Sequence, residues 1–219
     1  LKTIKFKLDP KELSLFLQTQ DPKIQYKDIL IPVENIKVYI DFLTLLKSDP
    51  KIKKTNFLFK ELDIKELNKF SAIIKPSNFK SLLNNKIKDG KLISEVEVFL
   101  NKEGILENFI AKGSVKNLKI EVLDDLQLIN TNFSFFADKS DVLIQNIFGN
   151  LEEIKISDGD VKLNLDKGIE INSNFDTKIN LNETSISKYS EYIDESFFSN
   201  QVKSFKGNFK NNLYLNFDK

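Results

Sequence analysis

Residues 161–172 read VKLNLDKGIEIN, and their alternation decides the fold class. Val161, Leu163 and Leu165 alternate with Lys162, Asn164 and Asp166. Lys167-Gly168 interrupts, and Ile169 and Ile171 then alternate with Glu170 and Asn172. A period of two sets successive side chains on opposite faces of a strand, and a short glycine-containing break joins two such strands as a hairpin. The rhythm extends in both directions. Upstream it is carried by Val96 and Val98, by Phe109, by Leu118, Ile120 and Val122, by Phe133 and Phe135, by Val142 and Ile144, and by Ile154 and Ile156. Downstream it continues through Phe175, Ile179 and Leu181, and resumes from Val202 to Phe217. Turn-forming residues fall between: Glu103-Gly104, Asp124-Asp125, Asp138-Lys139-Ser140, Gly149-Asn150 and Asp158-Gly159. Short connections predict a mainly β chain whose residues 91–219 form an antiparallel meander with one apolar and one polar face. A polar stretch from Asn182, followed by Tyr189, Tyr192, Ile193 and Phe197 at helical spacing, predicts a short amphipathic helix near 184–198.

Residues 1–90 read as a mixed strand-helix part, continuous with the meander. Ile4, Phe6 and Leu8 alternate with lysines as a short strand. Asp9-Pro10, with Glu12 three residues after Asp9, predicts an N-cap and a helix to about Gln18. Lys23–Ile31 and Glu34–Asp41 are strand-like, with Pro32 at an edge or a break. Phe42 to Leu46 makes a compact apolar turn or helix, and Ile52–Phe59 is again a strand. Two consecutive helices are expected over about 63–85. Asp63 caps the first, whose stripe is Ile64, Leu67, Phe70, Ile73 and Ile74, and Ser77 opens the second after Pro76.

Composition narrows the chemistry. The chain has 219 residues with no His, Cys, Met or Trp, and all 33 basic residues are Lys, against 32 acids. No thiol nucleophile, disulfide, Ser-His-Asp triad or ordinary zinc site is possible. Lysine without arginine supplies charge but no bidentate readout of phosphates or bases, which argues against nucleic acid as a partner. Abundant Lys, Asn, Ile and Phe is the signature of AT-rich codons, which accounts for much of the bias. The lack of a Met at Leu1 predicts a piece of a longer chain. No apolar run approaches the roughly 18 residues of a membrane span. Charge is uneven: Lys47 to Lys91 holds 12 Lys and 5 acids, a net of +7, and Glu121 to Asp160 holds 9 acids and 2 Lys, a net of −7.

Candidate catalytic groups are sparse. Glu95 and Glu97 share one strand face, yet no cleft surrounds them to raise a carboxyl pKa. Asp158-Gly159-Asp160 lacks the ligand spacing of a calcium loop and is read as a hairpin turn. No catalytic residue, cofactor or metal is assigned. The apolar face of the meander must be covered by a second sheet, by the sheet's own curvature, or by a ligand. An apolar trough suffices to carry lipid: exposing a diacyl lipid of about thirty methylenes to water costs on the order of 20 kcal/mol.

The run NFIAKGSVKNLKIEVLDDL from Asn108, continuing as FSFFADKSDVLIQNIFGNLEEIKISDGDVKLNLDKGIEINSNF from Phe133, resembles the AsmA-like superfamily of bacterial envelope proteins, in its YhdP and TamB branch. ILIPVENIKVYIDFLTLL (Ile29 to Leu46), with the later ELDIKEL, is similar to that family's strand-helix-strand unit. The resemblance spans about residues 23–217 and rests on strand and turn patterns. It implies a non-enzymatic curved β-groove, part of a protein anchored in the inner membrane of a Gram-negative bacterium by a segment outside this chain. That protein would reach across the periplasm and move phospholipid toward the outer membrane. The groove lining it implies is Val96, Val98, Phe109, Leu118, Ile120, Val122, Phe133, Phe135, Val142, Ile144, Ile154, Ile156, Val161, Leu163, Leu165, Ile169, Ile171 and Phe175, with phospholipid acyl chains as the partner. A second reading is a structural or adhesive β-sandwich of a cell-envelope protein, with the same residues in a closed core.

Overall fold

A computed structural model of the chain describes residues 4–10, 14–26, 29–66, 85–123, 126–166, 168–190 and 202–218. Thirteen strands form one antiparallel sheet. The first part contributes β1 (Ile4–Asp9), β2 (Ser14–Gln20), β3 (Lys23–Tyr26), β4 (Ile29–Ile40), β5 (Ile52–Phe59) and the two-residue β6 (Leu62–Asp63). The second contributes β7 (Ile87–Leu100), β8 (Leu106–Leu123), β9 (Leu126–Ala137), β10 (Asp141–Leu151), β11 (Ile154–Asn164), β12 (Gly168–Asn182) and β13 (Ser204–Asp218). Strand order along the main path is β1-β2-β4-β5-β7-β8-β9-β10-β11-β12-β13, with β3 pairing β4 and β6 pairing β7 at the side. β1 and β13 do not meet, so the sheet is open. No second sheet faces it among the described residues, and the closed sandwich core is therefore absent there.

Helices are few. α1 (Phe42–Leu46) is capped by Asp41, whose carboxylate accepts from the Leu43 N–H at 2.9 Å and the Thr44 N–H at 3.3 Å. α2 (Glu183–Ser190) starts where the Asn182 side chain accepts from the Ser185 N–H at 3.0 Å. Ile64–Glu66 forms one 3-10 turn. The remainder of the two helices expected over 63–85, and the second half of the one expected at 184–198, lie outside the described residues.

Four local expectations are corrected. The helix expected from Asp9 to Gln18 is instead β2 over its described part. Leu15 and Leu17 pair with Ile40 and Val38 on one side, and with Leu8 and Phe6 on the other. Two strand partners outweigh a local cap whose helix would be too short to stand alone. Gly149-Asn150 lies inside β10, and the turn falls at Glu152-Glu153, with Glu152 at φ 53°. Asp158-Gly159 lies inside β11 and forms a β-bulge. Pro32 does not divide two strands as expected: it lies inside β4, which runs from Ile29 to Ile40. On one side β4 pairs β3 up to Pro32 and β2 from Asn35 onward, so the proline sits where the strand changes partner.

The bulges shape the sheet. Four consecutive strands each carry one residue in the left-handed region: Asn117 in β8, Asn130 in β9, Asn146 in β10 and Asp158 in β11, at φ 51–56°. Each sits at a register shift against its neighbours. An extra residue bends its strand and increases the local twist, so four in adjacent strands crease the sheet along one line. Side chains from the next strand bind the displaced backbone: the Asn117 N–H donates to Asn132 Oδ1 at 3.0 Å, and the Asn146 N–H donates to Asp160 Oδ1 at 3.3 Å.

Among the described residues, helix or turn packs on the apolar face at two places. At one end Ile186 and Tyr189 of α2 pack with Leu126 and Leu181. Elsewhere Ile64 packs on Val115 and Leu118. The Tyr189 hydroxyl lies 3.2 Å from the Leu151 carbonyl, to which it donates. Burial first, then Glu153 and Glu152, push its pKa up to about 12. A raised pKa means the folded state holds the phenol proton longer than the unfolded chain does, so stability falls as pH rises from about 10 to about 12. Chemical denaturation across that range should show this decline, and Tyr189→Phe should make it shallower.

Candidate functional site: an apolar face open to solvent

The register places the implied groove lining. Starting at Ile4, directly opposed residues run Thr19, Ile36, Phe57, Val96, Ala111, Ala137, Val142, Leu163, Ile171 and Leu215. Opposed residues in a ladder point to the same face, so this single row crosses eleven strands with one polar member. A parallel row runs Phe135, Ile144 and Val161. Val98 opposes Phe109, Phe133 opposes Val115, and Ile156 opposes Gly149. Past the bulges, Leu118 opposes Thr131, Ile120 opposes Leu128, and Ile154 opposes Leu151 and Ile179. Val122, Ile169 and Phe175 keep the parity of Ile120 and Ile171 on their own strands. Leu165 follows β11 in the hairpin, where its N–H donates to the Ser140 carbonyl at 2.7 Å. The face expected from alternation is thus one surface.

Its exposure separates a trough from a core. Of the eighteen residues, fifteen are half-buried, Leu118 is buried, and Val122 and Ile169 are exposed. A sheet clamped beneath a second sheet would bury nearly all of them. A hollow of about 480 Å³ on this face lies between β3, β4, β5, β6 and β7, with Ser94 the only polar side chain among its lining residues. Val96 and Val98 of the implied lining border it, together with Ile24, Ile31, Val33, Phe57, Phe59 and Leu62, which that lining does not include. The alternation Thr55, Phe57, Phe59 in β5 was a signal for two of these. The others needed the strand order, because β3 and β7 come together only where the sheet curves.

The opposite face is mixed, with Phe16, Tyr39, Ile110, Phe136 and Leu143 beside a neutralised polar cluster. Asn56 donates to Glu95 at 2.5 Å and to Glu97 at 3.2 Å. Lys112 pairs Glu95 at 3.1 Å, and Lys54 lies 3.9 Å from Glu97 and 4.5 Å over the Tyr39 ring. The Asn56 hydrogen bond, with Lys112, holds the Glu95 pKa below the ordinary carboxylate value. A depressed pKa keeps this carboxylate ionised at neutral pH, the opposite of what a general acid needs. Glu95 and Glu97 do share one face, as expected, and it is the back of the sheet.

Asp158-Gly159-Asp160 serves the crease: Asp158 is the bulge residue and Asp160 binds the neighbouring bulge. A larger hollow of about 640 Å³ at the strand ends is lined by Lys47, Lys51, Lys53 and Lys102 against Asp41, Asp49, Glu103 and Glu107. Its charges cancel, so it selects no ion by sign. Against this geometry, neither the protein-family models, nor the curated proteins, nor the solved structures contain a match to the chain.

Proposed function

We propose that the chain is a non-enzymatic β-groove whose apolar face binds phospholipid acyl chains. In this reading it is a segment of an AsmA-like envelope protein, working in the periplasm of a Gram-negative bacterium. The protein would be anchored to the inner membrane by a segment outside this chain and would carry lipid toward the outer membrane. The observation that supports it is the eleven-strand row of opposed side chains, apolar at ten positions and partly open to solvent along its length. Acyl chains need only desolvation, at about 0.8 kcal/mol per methylene, and no directional partner. A face this wide and this apolar is otherwise an aggregation liability, and a retained lipid removes that liability.

Site-specific photocrosslinking tests it. Val142 lies on the apolar face, and Leu143, its neighbour in β10, points to the back of the sheet opposite Lys162. A photoreactive residue at 142 in protein expressed in a bacterial periplasm should give phospholipid adducts, and one at 143 should not. Equal labelling at both positions, or none at either, would overturn the reading. Val96→Asp with Val142→Asp should abolish lipid co-purification and leave the circular dichroism spectrum of a β protein intact.

A further inference from the structure

Two hollows meet on β7. Val98, Val96, Ser94 and Leu92 line the apolar one, as alternate residues on a single side of the strand. They span about 20 Å of strand, more than the roughly 15 Å that an acyl chain crosses in half of a bilayer core. Leu100, the next residue on that side, lines the charged hollow of about 640 Å³ at the strand ends. On β5 the same step runs from Phe57 past Thr55, which opposes Val98, to Lys53. An apolar track of one chain's length thus opens onto a polar compartment. Two internally braced turns wall that compartment. Beside α1, the Lys51 N–H donates to the Thr44 hydroxyl at 3.1 Å. In the β7–β8 turn, Asn101 Oδ1 accepts from the N–H groups of Glu103 and Ile105 at 3.0 and 2.9 Å. Lys51 and Asp49 pair at 3.6 Å, whereas Lys53, Lys102, Glu103 and Glu107 make no ion pair among the described residues. Charges of both signs therefore stand in one hollow without contact, and a ligand that carries both signs complements them.

We propose that the two hollows form one site for an amphiphile with a zwitterionic headgroup of the phosphoethanolamine class, an inference that rests on the lipid-carrying reading above. One acyl chain lies along β7 from Leu100 to Leu92. A second chain has the open face of β8 beside it, where Phe109 opposes Val98 and Ala111 opposes Val96. The phosphate sits against Lys53 and Lys102, and the ammonium sits against Glu103 and Glu107. A quaternary ammonium is held by aromatic faces, and no aromatic side chain is among the residues lining the charged hollow. A primary ammonium instead donates to carboxylates, which this hollow supplies. An anionic headgroup without the ammonium leaves the two carboxylates facing like charge, and a headgroup without phosphate leaves the two lysines unused. The hollow therefore discriminates by requiring both signs in one ligand.

Competitive lipid retention tests it. The 219-residue chain is incubated with equimolar dioleoyl phosphatidylethanolamine, dioleoyl phosphatidylglycerol and dioleoylglycerol in detergent micelles, freed of micelles, and its retained lipids are counted by mass spectrometry. The acyl chains are identical, so any preference reads the headgroup. Phosphatidylethanolamine should exceed phosphatidylglycerol about fivefold, the size of an exposed ion pair. Glu103→Gln with Glu107→Gln should bring the two phospholipids level without lowering phosphatidylglycerol. Lys53→Gln with Lys102→Gln should lower both toward the dioleoylglycerol level. All four side chains are exposed, so these variants should keep the circular dichroism spectrum of the wild type. Equal retention of the three lipids would overturn the headgroup site and leave the apolar groove standing, as would a phosphatidylethanolamine preference that survives loss of both glutamates. Retention of no lipid at all would overturn the site and the groove together.

Discussion

Gly113→Val is expected to abolish folding. Gly113 lies in β8 opposite Ser94 of β7 and Phe135 of β9. A Cβ at this position would stand 2.1 Å from the Ile93 carbonyl oxygen and 2.9 Å from the Phe135 ring. The ring can rotate away, but the carbonyl belongs to the neighbouring strand and cannot. Relief requires β7 and β8 to separate at the centre of the sheet. Overpacking that only displaces side chains costs about 1–3 kcal/mol. Displacing a central ladder should cost at least the top of that range, a large part of the roughly 5–15 kcal/mol that holds an ordinary domain together. Urea unfolding followed by circular dichroism would measure it. Gly113→Ala should already lose about 3 kcal/mol, and a loss below 1 kcal/mol would show that the strands separate more easily than the close approach implies.

Replacing the crease residues together should come second. Asn117→Val, Asn130→Val and Asn146→Val each place a β-branched side chain where φ is positive. The penalty for an ordinary residue there is about 1–2 kcal/mol, so the triple variant should lose about 3–6 kcal/mol if the sites act independently. They touch neighbouring strands, so departures from additivity are expected and informative. The same three positions changed to Gly should cost far less, because Gly adopts this conformation without a Cβ clash. A Val triple variant as stable as wild type would mean that the strands straighten and the bulges are dispensable.

The crease explains why Asp158-Gly159 reads as a turn. Asp158-Gly159 and Asn117, Asn130 and Asn146 belong to one chemical class, short polar residues or Gly that tolerate φ above zero. Such residues serve a two-residue hairpin and a β-bulge equally well. Which one forms depends on whether the chain reverses or continues along its neighbour, and local chemistry does not encode that choice. At Asp158 the strand continues, because Asp160 to Asn164 pair on with β12 and Ile154 to Ser157 do so on the other side of the bulge.

The N-terminal error has a related cause. Asp9, Pro10 and Glu12 carry a helix-start signal, and Leu15 and Leu17 also alternate. A short segment that satisfies both patterns is settled by its partners, here β1 and β4. Glu95 and Glu97 were placed on one shared face by spacing alone, but the neutralising Asn56, Lys54 and Lys112 come from β5 and β8 and are distant in sequence.

Period-two alternation therefore settled the class of fold and the sidedness of the sheet, because a side chain's face depends only on parity between bulges. Residues as far apart as Val96 and Leu215 share a surface for that reason. Whether that surface is closed or open followed from the pairing of strands, since burial depends on what lies 10 Å above the sheet and not on the strand itself. The bulged crease and the cavity lined by β3 to β7 are products of long-range pairing. No window of the sequence contains them.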